Sequence, residues 1–453
     1  ATVTFPPKDG TEDDVTVQYG VALQQLEEEG VYVCQEFVKQ IEDNDDDTSK
    51  INSKVQEMTR TLQSLQEQAL EAGTDAWKPA LQWNTQGPFA AQLQLVRTLR
   101  PPPSAGFDTC TAGTKTTSRP PPYDATIDSF VTGPLRLPLR PRVGTLNLPA
   151  TGAISTPWDV YHNISPADTR GHFLLIPTLD DPEGNWREQR LTSRDCHDLV
   201  HLTSSIQPVG SLLVGFNSVG AGASQNHVHA HAWPSPPLSG PYAVTQVPAI
   251  QDFCDIASTT TGATVEVSWL KYPVCCVQLS TTIINVVAED SNQERNAANL
   301  QLLGQALATT LEAIGDAPYN VGFLNRLEES IDDEETTDEQ LMAVDVFVFV
   351  RSQERATTVL PTLKLGISEM MGVFHAQSQD ELTDLVNEKD TDSLLEEDDH
   401  DHDDEDDHGE AEFFTGPMAR ALQEISCDNE VEIWEAICQK LQKLENVCPP
   451  EEE

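Results

Sequence analysis

Three histidines alternate with small or apolar residues in the stretch SQNHVHAHAW, at positions 224–233. Alternate residues of a β-strand point to the same face, so an extended stretch here would set His227, His229 and His231 side by side. Three imidazoles on one strand face can ligate a metal such as zinc. They can also supply one nucleophile with neighbours that contact phosphate, or form a surface cluster without a chemical role. The stretch therefore predicts a strand and restricts its chemistry to these three interpretations.

The stretch belongs to a block of alternating strand and helix patterns. VGTLNLP, WDVYHNI and HFLLIPT predict strands, residues 192–207 predict a helix, and SLLVGFNSVG and NHVHAHAW predict strands again. A second block follows with strands in ATVEVSWLKYPVCCVQLS, a helix at 291–314, and strands in APYNVGFLNRL and MAVDVFVFVRSQ. Such a sequence of elements predicts an α+β fold with a mixed or antiparallel sheet.

Changes in residue composition and hydrophobic pattern divide the chain into four segments. We predict an N-terminal tail and helices over 1–77, a Pro-rich extended arm over 78–142, a catalytic half over 143–260 and a second α+β half over 261–453. The second half contains an acidic insertion at 385–412, which we expect to be disordered, and ends with an amphipathic helix at 417–446. Runs such as RTLRPPPSAG favour extended backbone, so the arm is not expected to form a compact unit.

The charge of the chain excludes several classes of partner. It has 27 Lys and Arg against 74 Asp and Glu, a net charge of −47. Such a chain repels phosphate backbones and anionic lipid surfaces, so we expect no nucleic-acid and no membrane partner. No apolar run reaches the roughly 20 residues of a membrane span. Nine scattered cysteines without a Cys-x-x-Cys pair favour free thiols and a cytoplasmic location, with an organellar location after loss of a leader left open.

The sequence before the three histidines narrows the family. YHNISPADTRGHFLLIP at 161–177 sets Asn163 and His172 ahead of the predicted helix. This order, followed by GFNSVGAGASQNHVHAHAW, resembles the histidine-triad superfamily, and the latter block is similar to the GDP-L-galactose and GDP-D-glucose phosphorylases. PFAAQLQLVRTLRPPP, APYNVGFLNRL and ISEMMGVFHAQ resemble that family's arm, second-half strand and C-terminal strand. The resemblance spans about 88–445 and implies two histidine-triad-like halves, as in the galactose-1-phosphate uridylyltransferases.

The resemblance implies a reaction and a set of site residues. A GDP-hexose and inorganic phosphate would become hexose 1-phosphate and GDP, through attack of His229 on the α-phosphorus and a guanylyl-histidine intermediate. The other ring nitrogen of His229 would donate to the carbonyl of His227, while His231 and His172 would contact phosphate oxygens. The other nucleotide-binding candidates are Asn163, Asn217, Gly220, Gly222, Ser224 and Asn226. We expect no metal and no cofactor, because the imidazole itself is the nucleophile.

One motif position departs from the family pattern. The plant GDP-L-galactose enzymes have Gln where this chain has His231. A third His is usual in the hydrolase branches, so a hydrolase of nucleotide sugars or dinucleoside polyphosphates stays open, as does a catalytically inactive acidic interaction protein. The leading hypothesis implies GDP-hexose and phosphate as partners and leaves a homodimer open. A galactose substrate would imply ascorbate synthesis, and a glucose substrate the removal of a wrongly made nucleotide sugar.

Overall fold

A computed structural model describes most of the two predicted halves and parts of the segments before them. The described residues are 2–5, 15–18, 83–86, 88–93, 123–126, 128, 130–132, 137, 142–148, 156–163, 167–168, 171–237, 239–258, 261–284, 290–328, 340–359, 363–376, 378–386, 414 and 416–444. The helices predicted within 1–77, most of the Pro-rich arm and nearly all of the acidic insertion lie outside these residues.

Strands dominate the part of the chain that the structure describes. The strands are β1 (Thr2–Phe5), β2 (Val15–Gln18), β3 (Trp83–Gln86), β4 (Phe89–Leu93), β5 (Arg142–Asn147), β6 (Trp158–His162), β7 (Phe173–Pro177), β8 (Leu212–Asn217), β9 (Ala230–Pro234), β10 (Ala249–Ala257), β11 (Thr264–Leu270), β12 (Cys276–Ile284), β13 (Tyr319–Leu327), β14 (Leu341–Val350) and β15 (Val373–Ala376). The helices are α1 (Pro182–Asn185), α2 (Ser193–Ser204), α3 (Asp290–Ile314), α4 (Ile367–Met371), α5 (Gln379–Val386), α6 (Gly416–Ile425) and α7 (Glu430–Leu441).

The fold is mixed α+β, as predicted, and is built on one large antiparallel sheet. Twelve strands follow the order β10-β11-β12-β14-β13-β8-β9-β7-β6-β5-β1-β2. A separate small sheet has the order β15-β4-β3, in which β15 and β4 are parallel. Strands β1 and β2 extend the large sheet beyond β5, whereas the sequence suggested only an extended tail there.

Two halves of the large sheet have the same topology. The first half runs β8-β9-β7-β6-β5 outward from the centre, and the second half runs β13-β14-β12-β11-β10. Each half has its helix, α2 or α3, between its third and fourth strands in chain order. Strand β10 lies before the boundary predicted at residue 260, yet it pairs with β11 and so completes the second half.

The halves join where β8 pairs with β13 in antiparallel register. Gly215 lies opposite Gly322, and each glycine is the centre of a Val-Gly-Phe sequence, at 214–216 and 321–323. A Cβ on Gly215 would come within 2.9 Å of the Ile367 side chain, and one on Gly322 within 2.7 Å of Met371. The two glycines therefore let helix α4 lie directly on the seam between the halves.

The two faces of the sheet carry separate cores. Helices α2, α3 and α7 pack on one face of the sheet. They contact apolar side chains at alternate strand positions of both halves, including Val214, Phe216, Val321 and Phe323. Helices α4, α5 and α6 cover the other face together with β4 and β15. Since His229, His231 and Trp233 alternate with Ala230 and Ala232 of the first core, the three large rings lie on the second face.

The helices agree with the sequence pattern at two of three places. Helix α2 matches the prediction at 192–207 and begins with a reciprocal capping box between Thr192 and Asp195, and α3 matches the prediction at 291–314. The single helix predicted at 417–446 is wrong in one respect, because α6 ends at Ile425 and α7 begins after Asn429. Asn429 lies at the N-cap position of α7, although its side chain makes no capping hydrogen bond.

Candidate active site

The ring of His229 is held in one tautomer. Its Nδ1 lies 2.7 Å from the backbone carbonyl oxygen of His227. Because a carbonyl only accepts hydrogen bonds, the proton of the neutral ring is on Nδ1 and the lone pair is on Nε2. His229 is buried, and it lines a cleft on the second face of the sheet. The acceptor predicted from the sequence, the His227 carbonyl, is confirmed.

A glutamine from outside the motif fixes the backbone of His229. The side-chain Oε1 of Gln189 accepts from the His229 backbone N–H at 2.7 Å, and its Nε2 donates to the His229 carbonyl at 2.9 Å. The same Nε2 donates to the carbonyl of Asn217 at 2.8 Å. Strand β9 begins only at Ala230, so the predicted strand over NHVHAHAW is too long. The Gln189 side chain takes the place of sheet hydrogen bonds at His229.

His172 and His231 form a directed pair of imidazoles. The backbone N–H of Ala167 donates to His172 Nδ1 at 2.6 Å, so the His172 ring is neutral and carries its proton on Nε2. That Nε2 lies 3.0 Å from His231 Nδ1, which is therefore the acceptor. The neutral His231 ring then has its own N–H at Nε2. One backbone amide thus makes His231 Nε2 a hydrogen-bond donor in the wall of the cleft.

His227 does not line the cleft but lies behind His229. Its Nδ1 is 2.6 Å from the Asp128 carboxylate, which also accepts from the hydroxyl of Tyr123 at 2.8 Å. Burial and the adjacent carboxylate both raise the pKa of Tyr123, with burial the larger cause. The ring of Phe130 meets the rings of His227 and His229 edge-on, at 5.7 and 5.1 Å between centroids.

The wall of the cleft also carries a cation and a buried acid–imidazole pair. Lys364 Nζ lies 2.6 Å from Glu354 and 2.8 Å from the carbonyl of Ala223. His375 Nδ1 lies 3.0 Å from Glu369 Oε1, and both side chains are buried. Lys364, Glu369 and His375 all line the cleft with the motif histidines. The cleft is therefore polar, although the chain as a whole is strongly acidic.

The second half of the sheet anchors this wall through a chain of polar contacts. Asn217 Oδ1 accepts from the Asn320 side chain and from the Ile367 backbone N–H, both at 2.7 Å. Asn320 in turn accepts from the buried Arg351 guanidinium at 3.0 Å. Burial lowers the pKa of Arg351 to about 10, so the guanidinium stays charged at neutral pH. Arg351 also donates to the carbonyl of Leu365, which fixes the segment that carries Lys364.

Gly222 brings two backbones together at the floor of the cleft. Its φ of +98° is one that residues with a side chain rarely adopt. A Cβ at this position would lie 2.5 Å from the carbonyl oxygen of Leu365. Any larger residue would therefore push apart the two loops that form the cleft.

Most of the site residues predicted from the sequence meet in this cleft. Those that line it are Asn163, His172, Asn217, Gly222, Ser224, His229 and His231. His227, Gly220 and Asn226 are not among its lining residues. Asn226 accepts a hydrogen bond from the backbone N–H of Gln189 at 3.0 Å, and so supports the residue that holds His229. Asn163 Nδ2 lies 3.2 Å from His172 Nε2, and since both atoms carry hydrogen in the tautomer assigned above, they do not hydrogen-bond each other.

Sequence reasoning missed the residues that support or face the motif from a distance. These are Gln189, Asp128, Lys364, Glu369 and His375. The sequence offered one signal for the last two, because both lie within ISEMMGVFHAQ, which resembled a C-terminal strand of the phosphorylases. That segment proves to be helix α4 followed by strand β15. Among the described residues, no group of three or more His, Cys, Asp or Glu side chains is placed to hold a metal ion.

Comparison with known proteins finds distant structural similarity only. No protein-family model matches the chain, and no curated protein matches it. A yeast Ap4A phosphorylase in complex with Ap4A is 14% identical with a TM-score of 0.34, over 71% of this chain and 92% of that one. An Arabidopsis thaliana ADP-glucose phosphorylase with bound ADP-glucose is 12% identical with a TM-score of 0.26, over 69% and 99%. A galT-like protein from Arabidopsis thaliana is 11% identical with a TM-score of 0.23, over 67% and 97%.

No helix within the described ranges is both long and apolar enough to cross a bilayer.

Proposed function

We propose that the protein is a nucleotide-sugar phosphorylase that moves a guanylyl group from a GDP-hexose to inorganic phosphate. The observation that carries this proposal is the hydrogen bond from His229 Nδ1 to the His227 carbonyl. It leaves the lone pair on Nε2, at the opposite side of a ring that lines the cleft. A neutral imidazole in this tautomer is the form that attacks phosphorus.

The proposed reaction has two displacements at the α-phosphorus. First, His229 Nε2 forms a bond to phosphorus, and the bond to the bridging oxygen breaks, so that hexose 1-phosphate leaves with the electron pair. Second, an oxygen of inorganic phosphate attacks the guanylyl-histidine, the phosphorus–nitrogen bond breaks, and GDP leaves. The electron pair returns to Nε2, so the ring ends in its starting tautomer. Two moderate barriers replace one high barrier, and ping-pong kinetics follow.

The cleft supplies donors for the charge that develops in both steps. His231 Nε2–H is directed by the contact with His172, and the ammonium of Lys364, which is paired with Glu354, also lines the cleft. Because hydrogen bonds of charged groups contribute about 1.5–3 kcal/mol, Lys364 is suited to a phosphate oxygen. A net charge of −47 repels both anionic substrates, so these local donors must offset an unfavourable overall field.

The choice of guanine and of a hexose rests on the sequence resemblance of the 215–233 block. The contacts in the cleft support a phosphoryl centre and leave the base and the sugar to direct measurement. GDP-, UDP- and ADP-hexoses with glucose, galactose and mannose form the panel that identifies the substrate. We expect the highest kcat/KM with a GDP-hexose.

The test is turnover with and without inorganic phosphate. We expect GDP and hexose 1-phosphate to appear only when phosphate is present, and His229→Asn to remove turnover. His197→Asn is the matched control, since His197 packs on Gly304 of helix α3, away from the cleft. Turnover that is indifferent to phosphate and yields GMP identifies a hydrolase. Absence of turnover with every sugar nucleotide, or full activity of His229→Asn, rejects the proposed mechanism.

A further inference from the structure

A carboxylate from the predicted arm, that of Asp128, contacts the histidine motif at His227, two residues before the proposed nucleophile. Asp128 is 5% exposed, and it receives hydrogen bonds from Tyr123, from the Phe130 backbone N–H and from His227. The distances are 2.8, 2.9 and 2.6 Å. The first two donors hold the carboxylate, and the third contact ties it to the motif.

The contact with Asp128 determines the proton position on His227. A carboxylate only accepts hydrogen bonds, so His227 Nδ1 carries a proton and donates it to Asp128. The other ring nitrogen, Nε2, is buried and has no hydrogen-bond partner among the described residues. Asp128 is thus the polar anchor of this ring within the part of the chain that the structure describes, and the neighbouring ring edges of Tyr123 and Phe130 are apolar.

The anchored residue is the one whose carbonyl sets the tautomer of the nucleophile. His227 lies before the first residue of β9, so regular ladder hydrogen bonds do not hold its backbone. Its side chain is instead held by Asp128, and the next residue, Val228, donates its N–H to the carbonyl of Arg187 at 3.1 Å. A shift of His227 would move the oxygen that His229 Nδ1 donates to.

We propose that Asp128 is a positioning residue for the nucleophile, which acts through His227 to keep His229 in the Nδ1–H tautomer; the kinetic part of this proposal rests on the proposed function. Without the carboxylate, the buried His227 ring lacks a full acceptor for its Nδ1–H. The ring then rotates or shifts, the carbonyl leaves its position, and His229 populates the Nε2–H tautomer. That tautomer has its lone pair on the wrong nitrogen, because Nε2 is the atom that must attack.

The matched pair of variants is Asp128→Asn and Asp124→Asn in the full chain. Both change an aspartate to its neutral isostere within the same stretch, but Asp124 is exposed and hydrogen-bonds Thr126. Nitrogen-15 NMR of histidine-labelled protein measures the tautomer of His229 without any substrate. The kinetic readout is kcat and KM in the phosphate-dependent assay, with Tm as the measure of folding.

We expect Asp128→Asn to lower kcat by about 10- to 100-fold with little change in KM, by analogy with the range seen when outer-shell partners of metal-ligating histidines are removed. The His229 spectrum should show a new Nε2–H population, and Asp124→Asn should match the wild type in both measurements. Tyr123→Phe removes one donor to Asp128 but keeps the ring, so it should produce a smaller loss in the same direction. This milder variant provides the test if Asp128→Asn does not fold.

Wild-type kcat and an unchanged His229 tautomer in the folded Asp128→Asn protein would overturn the positioning role. The same result in Tyr123→Phe would overturn it where Asp128→Asn is unfolded. A tautomer shift in a protein whose wild type turns over no sugar nucleotide would reject the proposed function while supporting the positioning role. The two proposals therefore fail in different measurements.

Discussion

Replacement of Gln189 by glutamate tests whether a side chain, rather than the sheet, holds the nucleophile. Gln189 has no exposed surface, and its amide makes one bond as acceptor and two as donor to backbone groups of His229 and Asn217. Glutamate has nearly the same shape and keeps the acceptor. Its second oxygen, however, would face two carbonyl oxygens. An ionised carboxylate repels both, and a protonated one can donate to only one of them.

The magnitude follows from these contacts. One buried carbonyl without a partner costs about 1–3 kcal/mol. Burial raises the folded-state pKa of the introduced carboxyl above its unfolded value of about 4.3. Its stabilising, protonated form is fully available below pH 4.3 and is lost as the pH rises. The deficit in unfolding free energy relative to wild type should therefore be about 1–3 kcal/mol at pH 4 and grow by up to about 1.4 kcal/mol per pH unit toward pH 7.

Urea unfolding of wild type and Gln189→Glu between pH 4 and pH 7 measures this slope. Gln246→Glu is the control, because Gln246 is exposed and its side-chain amide donates a hydrogen bond to the hydroxyl of the adjacent Thr245. Turnover of Gln189→Glu should fall by at least about tenfold, since a misplaced reacting group loses the benefit of orientation. A deficit that does not depend on pH, together with wild-type turnover, would refute the assignment of Gln189.

Four further outcomes follow from the site and its charges. The double variant Lys364→Met/Glu354→Gln removes the cation without leaving a buried carboxylate unpaired. It should raise the KM for phosphate and for the sugar nucleotide by about tenfold or more. Unchanged KM values would exclude Lys364 from substrate binding. His231→Gln keeps a donor and should retain far more activity than His231→Leu, as measured by kcat in the same assay. Burial lowers the pKa of His162 to about 3 and of His201 to about 4, so the neutral rings stabilise the fold above pH 6.5 and this contribution is lost as the pH falls from 6.5 toward 4. Replacing both by Gln should therefore reduce the fall of the unfolding free energy with acid by up to about 1.4 kcal/mol per pH unit for each histidine. An unchanged pH dependence in this range would contradict the prediction. Moderate salt should tighten binding of the anionic substrates, because it screens the acidic field; a steady rise of KM with salt would show that local contacts dominate.

The sequence is sufficient to predict the parts of the site that are local. The donor on His229 and its acceptor on His227 belong to residues two apart within one motif, and the family resemblance of that motif is what predicts their contact. Such predictions succeed because short-range geometry has few solutions.

The rest of the site depends on contacts between residues distant in the chain. Gln189 reaches His229 across 40 positions, and Asp128 reaches His227 across 99. Neither residue lies in a pattern that distinguishes it from other polar loop residues. Lys364 is equally inconspicuous in sequence. It comes to line the cleft because helix α4, which follows it, packs against Gly215 and Gly322 where the two halves of the sheet meet. These placements are set by tertiary packing, which no local periodicity encodes.

The two-half topology shows which residue of the second half corresponds to His229. In the first half His231 lies opposite Gly215, and in the second half Phe347 lies opposite Gly322, so the position equivalent to His229 is two residues earlier, at Asp345. Asp345 is buried and accepts hydrogen bonds from Gln278, Ser280 and Arg326, so it forms an ion-paired network with no imidazole among these partners.

The second half nevertheless completes the site of the first. Asn320 and Arg351 connect it across the seam to Asn217 and to the segment of Lys364. A buried polar chain of this kind is costly when one member is removed, because the others remain without partners. We therefore expect Asn320→Leu to disturb the cleft more than the sheet: KM should rise while the strands stay paired, as judged by far-UV circular dichroism. Loss of the sheet signal together with activity would show instead that Asn320 holds the halves together, and unchanged KM would separate the second half from substrate binding.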